Sequence, residues 1–154
     1  MRIEIDQSGK VEDTSKDTIL CISNDVHHTV FVSKQSKRSL QRVFRQNGMI
    51  RNYVLFTFTA LLALLLKQSK PMHHVIIDEE YKGKDKIILC ILHEMLDLDT
   101  IPPISFGRIG KLSPAHVRAK AVATKVKKPS RIISSESLLR VIKKTDVYKR
   151  LENA

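Results

Sequence analysis

Thr29-Val-Phe-Val-Ser33-Lys34-Gln-Ser-Lys37-Arg38-Ser-Leu-Gln-Arg42-Val-Phe-Arg45 is the stretch where the chain changes period. Up to Ser33 the residues are β-branched or aromatic, as in a strand. From Lys34 the cations Lys34, Lys37, Arg38, Arg42 and Arg45 fall at helical spacing, with Leu40, Val43 and Phe44 on the opposite stripe. A strand running into an amphipathic helix with a basic face is expected, ending or kinking at Asn47-Gly48.

Upstream, Arg2-Ile-Glu-Ile-Asp6 alternates with period two, placing Ile3 and Ile5 on one face and Glu4 and Asp6 on the other. Gln7 to Asp17 is polar, contains Gly9 and reads as a loop. Thr18 to Ser23 is a second strand, separated from the third by Asn24-Asp25 turn chemistry. Three successive strands with short connections predict an antiparallel meander.

Downstream, an apolar helix from about Arg51 to Lys67 is stopped by Pro71. His73 to Asp78 is a strand buried on both faces, and a helix follows from about Lys84 to Met95. Ile104 to Ile109 is the next strand. Ser113 as N-cap and Pro114 at the first helical position open a helix to about Lys125. Arg131-Ile-Ile reads as a short extended piece, and Ser135 caps a last helix through Lys144. The expected class is α/β, in the order β-β-β-α-β-α-β-α, with a mixed five-stranded sheet and helices on both faces. Residues 1–133 form its domain, and 134–154 an amphipathic helix and tail, within that domain or appended to it.

The 154 residues and 42% apolar content suit one folded domain. The formal charge is +11, distributed as −3 over residues 1–33, +8 over 34–70, −4 over 71–107, +11 over 108–150 and −1, from Glu152, over 151–154. A polyanionic partner follows from the total. The segregation suggests that the carboxylates have a task the cations support, although acidic strands and basic helices with merely solvated faces would give the same pattern. Cys21 and Cys90 form no C-x-x-C pair, so neither a zinc site nor a disulfide framework is indicated and a reducing, cytoplasmic setting is expected. The N-terminus lacks a secretory apolar region. Tyr53 to Leu66 is a 14-residue apolar run, short of the roughly 20 that cross a hydrocarbon core. A buried helix is expected there, and a small membrane-associated protein is the alternative.

Asp6 closes the first strand, and Asp78-Glu79-Glu80 follows directly on a buried one. Carboxylates converging from different elements are what two-metal phosphodiester cleavage requires, since two Mg²⁺ or Mn²⁺ ions about 4 Å apart clamp the attacking and leaving oxygens. Plainer roles are also open: Asp6 could cap the turn at Ser8-Gly9, and the later acids could be a solvated entry to the next helix. If the strand persists, Asp78 and Glu80 point to one side and Glu79 to the other.

The element order, with Asp6 in the first strand and Asp78 at the carboxy end of the fourth, resembles the ribonuclease H-like superfamily. Asp6-Gln-Ser8 is similar to the first-strand motif of ribonuclease H. Ribonuclease H enzymes take a further acid from the first long helix, but residues 34–70 contain no carboxylate. In that respect the chain resembles the Holliday-junction resolvase branch, whose last ligand, from the final helix, can be Asp or His. Ile77-Asp-Glu-Glu-Tyr81 and Ile109-Gly-Lys-Leu-Ser-Pro-Ala-His116 resemble the strings I-D-x-E-Y and I-G-K-x-S-P-A-H of a small archaeal group within the superfamily.

The resemblance implies a metal-dependent nuclease acting on structured or duplex nucleic acid, DNA or RNA. Asp6 and Asp78 would be bridging ligands, Glu79 or Glu80 would assist, and His116 would be the last ligand or a proton-transfer group; a capping-turn histidine is the plainer reading of His116. Dimerisation, as in resolvases, is left open. Lys111 beside the helix N-terminus, the Lys34, Arg38, Arg42 and Arg45 face, and Arg118 with Lys120 are the candidate backbone contacts. The alternative of a different class is a non-catalytic nucleic-acid-binding module.

Overall fold

The computed structural model describes residues 3–23, 27–96 and 101–154; Arg2 and the expected Asn24-Asp25 turn lie outside them. Strands β1 (Ile3–Ser8), β2 (Thr18–Ser23) and β3 (His27–Val32) form the antiparallel meander, with Asp6 opposite Cys21 and Leu20 opposite Val30. The period change at Ser33 is the start of α1 (Lys34–Gln46), whose first turn is capped by the Ser33 hydroxyl accepting from the Ser36 amide. A 3₁₀ turn (Ile50–Asn52) leads into α2 (Tyr53–Ser69), which ends with Lys70 in the left-handed conformation.

Next, β4 (Val75–Asp78) lies parallel to β1, with Ile5 beside Ile77. After α3 (Asp85–Met95), β5 (Ile104–Gly107) adds parallel to β4. The remaining elements are α4 (Pro114–Ala123), β6 (Arg131–Ile132), α5 (Ser135–Lys143) and α6 (Asp146–Glu152). The sheet is mixed, α/β in class, with strand order β5-β4-β1-β2-β3-β6.

Six strands replace the expected five. The extended piece at Arg131 pairs parallel with β3, Ile133 donating its amide to the Phe31 carbonyl at 2.7 Å. Two paired residues have no periodicity to read; the open edge of β3 supplies the partner. The C-terminal helix is also two helices, because Thr145 caps α6 by accepting from the Tyr148 amide. Both contribute to the main core through Leu138, Val141, Ile142 and Tyr148.

Helices cover the two sheet faces unequally. One face carries α2, packed on β2 and β3 and backed by α1, α3 and α5. Here Phe44, Tyr53, Phe56 and Tyr148 form edge-on and tilted ring contacts at centroid distances of 5.9–6.1 Å. On the other face, among the described residues, α4 packs over β1, β2 and β3, with a small core of Ile19, Cys21, Ala119 and Val122. The helical run Ile50–Ser69 has 20 residues and a mean hydropathy of 1.4, long and apolar enough by those measures to span a bilayer, yet 67% of it is buried in the fold. Packing against β2, β3, α1, α3 and α5 accounts for its apolarity.

Lys37 departs from the expected basic face: it is fully buried. Its ammonium donates to the carbonyls of Lys10 (3.1 Å) and Asp13 (2.6 Å) and to the Thr18 hydroxyl (2.9 Å), all in or beside the β1–β2 loop. The apolar stripe of α1 is wide enough to include it, and the loop carbonyls satisfy its charge. Gly9 opens that loop with φ +76°, where a Cβ would stand 2.0 Å from the Asp17 carbonyl oxygen.

Candidate metal and nucleic-acid site

Alternation along β1 directs Ile3 and Ile5 into the main core and Glu4 and Asp6 toward α4. The register pairing Ile5 with Ile77 brings Asp6 level with Asp78 on the neighbouring parallel strand. Glu80, just beyond the end of β4, completes a group in which one carboxylate oxygen from each of Asp6, Asp78 and Glu80 lies within 4.8 Å of the others. Three oxygen donors so close can hold a metal ion.

The surroundings fix each member. Asp78 Oδ1 accepts from the Ile109 amide at 2.9 Å, which ties β4 to the segment after β5. Asp6 is buried, and its Oδ2 lies 2.6 Å from His116 Nδ1 on the first turn of α4. One turn back, the Ser113 hydroxyl donates to Glu4 Oε1 at 2.8 Å. Two polar pairs therefore hold the start of α4 against β1.

Ser113 occupies the expected N-cap position, but its hydroxyl makes no cap bond because Glu4 takes it. Glu4 was not among the sequence candidates, although it is in phase with Asp6 on the same strand. Glu79 is exposed, its amide donating to the Gly107 carbonyl, and it lies outside the carboxylate group.

Burial and crowding shift the acids. Desolvation raises the Asp6 pKa above the ordinary carboxylate value; the bond from His116 opposes the shift and the charge of Asp78 adds to it. Glu80 is pushed up to about 7, first by burial, then by its hydrogen bond to Asp78 and the negative charges of Asp78 and Asp6, with Lys10 opposing. A proton shared among the carboxylates relieves their repulsion, and a divalent cation would relieve it more completely.

The cationic candidates are spread over several elements. Lys111 is exposed on the turn before α4; Arg38, Arg42 and Arg45 are exposed along α1. Lys34 and Lys120 flank one groove. Arg118 is half-buried near Cys21, with its Nε buried and unpaired; the Cys21 thiol, buried beneath α4, is pushed up to about 12. Compared with protein-family models, curated proteins and solved structures, the chain matches none.

Proposed function

We propose that this chain is a divalent-metal-dependent nuclease of ribonuclease H-like architecture, cleaving phosphodiester bonds in duplex or structured nucleic acid. The observation that carries the reading is the meeting of Asp6 on β1, Asp78 at the end of the adjacent parallel β4 and Glu80 just beyond it, with His116 on Asp6. The order β5-β4-β1-β2-β3 with β2 antiparallel accords with that architecture, and β6 is an addition at its far edge.

An all-carboxylate donor set suits a hard cation, Mg²⁺ or Mn²⁺, better than zinc or copper. Such ions supply Lewis-acid stabilisation of charge on the phosphate and lower the pKa of a bound water. Asp6 and Asp78 would hold them between the strands, with Glu80 as the third donor once its proton has left. His116 fixes the orientation of the Asp6 carboxylate through Nδ1, and its position on an accessible first turn suits proton transfer to or from the reacting oxygens. The surplus of cations offsets phosphate charge on either side of the acids.

The test is cleavage of labelled duplex DNA, RNA·DNA hybrid, duplex RNA and a four-way junction, with Mn²⁺, with Mg²⁺ and with chelator. Metal-dependent cleavage that Asp6→Asn abolishes is the expected result. Nucleic-acid binding without cleavage of any substrate would refute the nuclease and leave a binding module.

A further inference from the structure

Along the same side of the sheet as the carboxylates runs a groove with a volume of about 450 Å³. Its walls come from Ile19 on β2, from Ser8 at the end of β1 with the following loop, from the start of α1 and from the last turn of α4. Each of the last three supplies a lysine, namely Lys16 from the loop, Lys34 from α1 and Lys120 from α4. The carboxylate in the wall, Asp17, accepts the Lys34 amide through Oδ1 at 2.8 Å and so braces the α1 end of the groove.

The position relative to the acids follows from two periodicities. Ser8 is two residues beyond Asp6 on the same strand face, and Lys120 is one turn beyond His116 on the same helix side. Either step is about 6–7 Å, and a nucleic-acid strand advances about 3.4 Å per phosphate along a duplex axis. The groove is thus displaced from the acidic cluster by about two nucleotides of rise.

Its wall is also built rather than casual. Nine residues, Gly9 to Asp17, join β1 to β2, and a connection of that kind ordinarily lies loose on the surface. This one is held from beneath by the buried Lys37 ammonium, by the Thr18 hydroxyl donating to the Gly9 carbonyl at 2.8 Å, and by the close approach of Gly9 to Asp17. Burying an ammonium is costly, and here it fixes the segment that presents Lys16.

We propose that this groove binds one phosphate of the nucleic-acid strand, about two nucleotides from the bond presented to the carboxylates, with Lys16, Lys34 and Lys120 as its cationic contacts. The placement of the strand rests on the nuclease reading; the affinity of the groove for phosphate does not. The groove then sets the register in which a duplex meets the acids, as a backbone contact that carries no base information.

The test uses the full chain carrying Asp6→Asn, without divalent ions, titrated with inorganic phosphate and with a 12-base-pair DNA duplex while backbone amide NMR shifts are followed. Saturable shifts at Gly9, Lys16 and Thr124 with both probes are expected. In parallel, Lys16→Ala combined with Lys120→Ala should lower the slope of log affinity against log salt by about 1 and weaken duplex binding by about tenfold or more. Lys149→Ala with Arg150→Ala on α6 serves as the distant control and should leave the slope unchanged.

Duplex binding that leaves the groove amides unmoved, or a groove double variant indistinguishable from the control, overturns the proposal. Absence of duplex binding overturns it as well. Groove binding in a wild-type protein that cleaves nothing would sink the nuclease reading and leave the phosphate site standing. Metal-dependent cleavage with an inert groove would do the reverse.

Discussion

The two faces of the sheet are built for different work. The α2 face holds the large core, in which Leu61, Leu62, Ala63, Leu65 and Leu66 are buried and four aromatic rings meet. The α4 face has four buried residues in its small core and, beside them, the Glu4–Ser113 and Asp6–His116 pairs. Burying acids within 4.8 Å of one another works against folding. A thick apolar face can offset that cost, so the main core and the candidate metal site lie on opposite sides of one sheet.

The sharpest way to break this division is Phe44→Ala, which removes the ring touching Tyr53, Phe56 and Tyr148. It should lower unfolding free energy by about 3–5 kcal/mol, read by urea denaturation. Asp6→Asn should do the opposite: cleavage falls on the order of 10²-fold or more, while the denaturation midpoint holds or rises because a crowded buried charge is gone.

The carboxylates also impose a pH signature with a definite sign. Glu80 keeps its proton to about 7 when folded, against an ordinary value of 4.5. Across that interval the folded state binds more protons than the unfolded one, so the metal-free protein loses stability as pH rises from 4.5 to about 7. Mn²⁺ must displace that proton, so its affinity should climb up to about tenfold per pH unit below 7 and level off above. Isothermal titration across pH 5.5 to 8.5 would check it, and Glu80→Gln should flatten the profile.

Smaller effects come from the α4 core. Val122→Ala should cost only about 1–2 kcal/mol; a value matching Phe44→Ala would refute the unequal faces. Lys37 imposes a pH dependence of the opposite sign to that of Glu80, because burial lowers its pKa from 10.5 to about 8. Between those values the unfolded chain holds a proton the folded one has lost, so this dependence adds stability as pH rises from about 8 to 10.5. Lys37→Met should remove it from the pH dependence of the denaturation midpoint.

Most of this arrangement was legible where periodicity is strong. The switch at Ser33, the alternation of β1 and the apolar run of α2 each follow from spacing, and together they fix the meander and its crossover to β4. The acids were visible because Asp6 lies in the first strand, two residues before its end, and Asp78 closes the fourth beside it.

What escaped had a long-range cause. Glu4 became part of the site only because Ser113, 109 positions away, donates to it. Lys37 looked like its exposed neighbours until the β1–β2 loop folded over it. The pairing of Arg131 and Ile132 depends on the bare edge of β3. None of these can be read from local pattern.

One consequence concerns synthesis on the ribosome. Every residue of the carboxylate site and of the lysine groove has been made once Thr124 is added, yet the aromatic cluster of the main core is complete only with Tyr148. At about 5–20 residues per second, a nascent chain carries the full set of acids and lysines for a second or more before the helices that stabilise the sheet can close. The order of the elements therefore places every residue of the candidate site ahead of the last ring of the core that supports its sheet.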